Sequence, residues 1–152
     1  DNAMLNWLKT NATAARDKMK TEVAKYKNND VMEAVVAGCE LVAAADGDIS
    51  SEEKQKMAAF INRSEELSVF DMSKVIGAFN KIVEGFEFDA GIGKIEAMKK
   101  ITRLRGKDEE ARTMVRVCCV IGPADGDFAA DERKVVAELC TELGLSPSEL
   151  DL

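Results

Sequence analysis

Apolar residues recur along most of the chain at intervals of three and four positions, which is the spacing of one face of an α-helix. Near the start they fall at Leu5, Leu8, Ala12, Ala15, Met19, Val23 and Tyr26. No segment shows the sustained alternation of apolar and polar residues that is typical of a half-buried strand. The pattern therefore predicts an all-α fold of about seven helices.

Capping residues and glycines mark the ends of the later helices. Asp30 with Glu33 is predicted to cap one that ends near Ala45, and Ser50 with Glu53 is predicted to cap the next. Gly144 is a natural C-terminal stop. The remaining helices are predicted from about 70 to a break over 85–93, from 91 or 92 to 104, from 108 toward 122, and from 130 to 143.

A segment centred on Asp-Gly-Asp occurs twice, first at 46–48 and again at 125–127, an offset of 79 residues (125 − 46 = 79). The same offset relates Cys39 to Cys118 and Lys54 to Arg133. Between these ends the two segments also share an alanine before the first Asp and a glutamate after the second. The chain is therefore interpreted as an internal duplication. The predicted units are about 30–70 and 109–150, with a pseudo-two-fold relation between them.

Composition and charge exclude several classes of function. The 152 residues, 46% of them hydrophobic, fit one globular domain. Histidine is missing, which excludes Ser-His-Asp and Cys-His catalysis and histidine-bound zinc. No apolar run is long enough to cross a membrane. The net charge is −7, which is the sum of +3 over residues 1–29 and −10 over residues 30–152. Because the larger part is acidic, nucleic acid is not expected as a partner.

The first 29 residues differ from this acidic body, because their net charge is +3. Residues 1–3 are interpreted as a cloning remnant before Met4, and residues 4–29 as a basic amphipathic helix. Two placements stay open for this helix. It packs on the domain of residues 30–152, or it is an arm that meets an anionic membrane or a partner.

The two Asp-Gly-Asp segments gather carboxylates, which repel one another unless a counterion is present. They are not EF-hands, because position 12 of each is apolar where an EF-hand has Glu. A hard cation is the expected ligand, Ca²⁺ or Mg²⁺, weakly bound because the positive end of the following helix opposes it. The alternative is a turn with a helix cap and no ligand. The candidate metal ligands are Asp46, Asp48, Glu52, Glu53, Asp125, Asp127, Asp131 and Glu132.

The cysteines and a glycine-containing run are two other candidate sites. The cysteines, Cys39, Cys118, Cys119 and Cys140, form no Cys-x-x-Cys pair, so buried free thiols are expected, with redox or metalloid chemistry as the alternative. The run 91–94, Gly-Ile-Gly-Lys, lacks the spacing of a phosphate loop and follows no strand. It is interpreted as a helix junction, with Glu84, Glu87 and Asp89 as a solvated helix end.

Three runs, 45–57 (Ala-Asp-Gly-Asp-Ile-Ser-Ser-Glu-Glu-Lys-Gln-Lys-Met), 64–71 (Ser-Glu-Glu-Leu-Ser-Val-Phe-Asp) and 86–89 (Phe-Glu-Phe-Asp), resemble the TerB family of bacterial tellurite-resistance proteins. The likeness extends over 4–152. It implies a cytoplasmic, all-helical protein without enzymatic activity. It also implies that the protein belongs to a metal-sensing stress complex with the membrane protein TerC and other tellurite-resistance proteins. That complex would place it peripherally at the inner membrane. Acidic surface residues of that family are proposed cation ligands, which corresponds here to the eight acids named above.

Three hypotheses therefore stand at this point. The first is a non-catalytic, cation-responsive interaction module of a tellurite-resistance complex, with an acidic docking scaffold that binds no metal as its variant. The second is a thiol protein that handles metalloids through its cysteines. The third is a metal-assisted hydrolase with paired carboxylates, which would need a concave site.

Overall fold

A computed structural model describes residues 20–45, 55, 58–59, 62–63, 67–121, 130–146 and 148. Residues 20–25 are helical, and no strand occurs in this described part. The predicted all-α fold is therefore confirmed. Its five main helices are α1 (Asn29–Ala43), α2 (Met72–Phe88), α3 (Ala90–Thr102), α4 (Asp108–Ile121) and α5 (Ala130–Leu143).

Helix α1 lies at the centre, where it packs against all four of the other numbered helices. From Val31 to Val42 every residue is buried except Glu33. A helix that is buried on all sides is typical of a position surrounded by neighbours. Its valines and alanines are small enough for the other helices to approach closely, so α1 forms the core that holds the bundle together.

The cap of α1 differs from the sequence prediction. Asn28 is the N-cap, and its side-chain oxygen accepts a hydrogen bond from the N–H of Val31 at 2.9 Å. The prediction that Asp30 and Glu33 form a capping box is wrong. Instead, Glu33 pairs with Lys100 at 2.9 Å, and both acids lie within 3.7 Å of Arg103. These partly exposed ion pairs attach the C-terminal end of α3 to α1, and each contributes at most about 1 kcal/mol.

A single residue joins α2 to α3. Asp89 has extended backbone, and its side chain accepts a hydrogen bond from the N–H of Ile92 at 3.0 Å, so it caps α3. The predicted break over 85–93 is therefore reduced to Asp89, because α2 continues through Gly85 to Phe88 and α3 begins at Ala90. Gly85 and Gly93 lie inside the helices where α2 and α3 cross. They permit the close approach of two backbones and do not end either helix.

The end of α5 confirms the predicted stop at Gly144, which has a left-handed backbone with φ of 73°. The N–H of Leu145 donates to the carbonyl of Cys140 at 2.8 Å, and the N–H of Gly144 donates to that of Thr141 at 3.1 Å. This pair of bonds is the Schellman motif. Arg105 adds a hydrogen bond from Nη1 to the carbonyl of Glu142 at 2.8 Å. The end of α5 is therefore tied to the loop before α4.

The helices that lead into the two acidic segments meet in the core. Helices α1 and α4 begin at Asn29 and Asp108, which are separated by the same 79 positions as the Asp-Gly-Asp segments (108 − 29 = 79). Cys39 and Cys118, the equivalent cysteines, are in contact with an Sγ–Sγ distance of 3.9 Å. Contact between equivalent residues is compatible with a two-fold axis that passes near them. The duplication itself stays a prediction.

Candidate functional site

Two of the eight predicted cation ligands lie in the described part of the chain. Asp131 and Glu132 occupy the first turn of α5, where Asp131 is exposed and Glu132 is partly buried. Negative side chains in this position stabilise a helix through its dipole. The other six, Asp46, Asp48, Glu52, Glu53, Asp125 and Asp127, lie outside the described residues. The structure therefore leaves the proposed ligand set untested.

The structure does bring the approaches to both acidic segments together. A groove of about 300 Å³ lies between the C-terminal end of α1, the first half of α3 and the start of α5. Ala44 and Ala45, directly before Asp46 in sequence, and Asp131 all line it. One groove thus contains residues that adjoin or belong to both acidic segments in sequence.

The groove has an apolar floor and a charged rim. Leu41, Phe86, Met98 and Val135 are the larger apolar residues that line it. Lys94 on α3 and Glu138 on α5 form an ion pair of 3.2 Å across it, with both side chains about half exposed. Among the described residues, no three Cys, Asp or Glu side chains are grouped so that they could hold a metal ion. An apolar floor with a polar rim is the usual make-up of a surface that receives another molecule.

The N-terminal helix contacts the domain at its described end. Val23 is fully buried, Tyr26 donates a hydrogen bond from its hydroxyl to Glu109 at 3.1 Å, and Glu22 lies 3.8 Å from Arg116. Both partners belong to α4. For residues 20–26, the structure thus supports the placement on the core. The placement of residues 4–19 stays a prediction.

All four cysteines are free thiols in the core. Cys118 is in contact with Cys39, and its Sγ lies 3.6 Å from the sulfur of Met114. The hydrogen bond with Cys39, together with burial, raises the pKa of the Cys118 thiol well above its ordinary value. Burial likewise raises the pKa of the Cys119 thiol. Because the thiolate is the reactive form, these thiols are poorly suited to redox or metalloid chemistry.

We expect the thiols of the native protein to react slowly with a disulfide reagent such as dithiobis(nitrobenzoic acid) at pH 7. The reagent has to reach a side chain that is at most 4% exposed, and little thiolate is present. Under denaturing conditions all four should react at once, which provides the control. Rapid labelling of the folded protein would contradict this assignment and favour the thiol hypothesis.

Two features of this region were missed by the sequence reasoning. Glu40 is only 1% exposed, although glutamate is almost never fully buried. Phe88, Ile92 and Ile95 are 80%, 42% and 59% exposed. The spacing of three between Ile92 and Ile95, which lie on one helix, was the available signal.

No helix in the described part of the chain has both the length and the apolar character needed to cross a membrane. The fold and the groove define a small helical domain whose candidate site is a groove with apolar and charged lining residues. The family model for "Tellurite resistance protein TerB" matches residues 32–152. The chain belongs to the TerB family of tellurite-resistance proteins.

A curated relative from Alcaligenes sp., "Tellurium resistance protein TerB", is similar to this chain. The two are 47% identical over 105 residues, which is 69% of this chain and 86% of the relative. No solved structure matches. The relative and the family model together support a role for this chain in tellurite resistance.

Proposed function

We propose that the chain is a non-catalytic interaction module of a tellurite-resistance complex, and that divalent cations regulate it. Its proposed place is the cytoplasmic face of the inner membrane, beside a TerC-like integral membrane protein and other tellurite-resistance proteins. The observation that carries the proposal is the repetition of one carboxylate set at a constant offset of 79 residues (125 − 46 = 79). A turn needs one or two of those acids, whereas a cation needs several oxygen ligands.

The acids that recur are Asp46, Asp48, Glu52 and Glu53, with their equivalents Asp125, Asp127, Asp131 and Glu132. Such carboxylates repel one another, and a bound cation would remove that repulsion. Asp131 and Glu132 stand at the positive end of α5, which would oppose a cation, so the affinity should be weak. Oxygen ligands and weak binding favour Ca²⁺ or Mg²⁺.

The groove supports a link between cation binding and partner binding. Ala45 and Asp131 both line it, and each adjoins or belongs to an acidic segment. A cation that reorders either segment would change the rim of the groove and thus its affinity for a partner. Regulation of this kind requires only that the cation bind one arrangement of the rim more tightly than the other.

The test is the melting temperature with and without CaCl₂. At ten times the dissociation constant a ligand stabilises by about 1.4 kcal/mol, which for about 150 residues corresponds to roughly 3–6 °C. We expect that rise in the wild type. Changing Asp46 and Asp48 to Asn should remove part of it, and adding Asp125→Asn and Asp127→Asn should remove the rest.

Two controls separate specific binding from screening of surface charge. NaCl at matched ionic strength should not reproduce the rise, and Glu142→Gln, an exposed acid outside the segments, should leave it unchanged. Equal responses of the wild type and the quadruple variant would identify the segments as turns and caps. In that case the variant hypothesis, an acidic docking scaffold without metal, would replace the cation-responsive one.

A further inference from the structure

We draw no further inference here: the strongest candidate, the group of exposed apolar side chains at the corner between α2 and α3 (Phe88, Ile92 and Ile95), carries none, because nothing in the described part of the structure shows what covers it.

Discussion

Gly93→Ala should destabilise the protein by about 3 kcal/mol, near the upper end of what overpacking costs in a well-packed structure. A Cβ at this position would lie 2.6 Å from the backbone nitrogen of Phe86 and 2.7 Å from its Cα. Both atoms belong to the backbone of α2, so no side chain can rotate to make room. The two helices would have to separate, and much of the packing between them would be lost.

Gly77→Ala is the matched control for this prediction. Gly77 lies in the same bundle, inside α2, is exposed, and would have no atom within 4 Å of an added Cβ. Alanine loses less backbone entropy than glycine in a helix, so this variant should gain roughly 0.5–1 kcal/mol. Urea unfolding monitored by circular dichroism measures both values. Similar free energies of unfolding for the two variants would show that α2 and α3 are not in close contact at Gly93.

Gly38→Ala should cost about 2 kcal/mol, and the cost should depend on Cys118. The new Cβ would lie 2.5 Å from Sγ of Cys118 and 3.4 Å from the sulfur of Met114. In contrast to Gly93, the obstacle here is the end of one side chain. Removing that sulfur by Cys118→Ala should therefore make room for the methyl group.

A double-mutant cycle measures this dependence. We expect Gly38→Ala to be nearly neutral in the Cys118→Ala background, with a coupling of at least about 1 kcal/mol between the two positions. Cys140→Ala, another buried cysteine, serves as the background that should leave the cost of Gly38→Ala unchanged. Additive effects in both backgrounds would contradict the close packing of α1 on α4 at these residues.

Gly38 and Gly93 differ in the kind of contact that each makes between two helices. At Gly93 the α2–α3 corner is fixed by contact with the backbone of Phe86. At Gly38, α1 and α4 meet through side chains near the 3.9 Å contact of Cys39 and Cys118. Each of these cysteines lies seven residues before an Asp-Gly-Asp segment.

Local chemistry in the sequence was sufficient to predict several elements. The bounds of α5 and its stop at Gly144 agree with the structure, because a helix pattern that ends in glycine needs no distant residue to explain it. The burial of the cysteines was also predicted, since apolar neighbours surround them in sequence. The junction expected at 91–94 lies slightly earlier, at Asp89, and 91–94 form the first turns of α3.

Tertiary structure decided what the pattern alone could not. Asp30 and Glu33 have the spacing of a capping box, yet Lys100 and Arg103 from α3 engage them, and Asn28 caps the helix. The glycines at 85 and 93 look like breakers, yet they lie inside helices whose backbones cross. In both cases the deciding partner is distant in the chain, so no local pattern can contain it.

The candidate site likewise has one part that local sequence predicts and one part that depends on residues distant in the chain. The sequence by itself determined the helical class, the family resemblance and the repeated acids, because each is a property of composition, spacing or local residue preference. Only the folded chain showed that Ala45 and Asp131 line one groove and that Phe88, Ile92 and Ile95 are exposed beside it. Which face of a helix is covered depends on the helices packed against it, and that arrangement exists only in three dimensions.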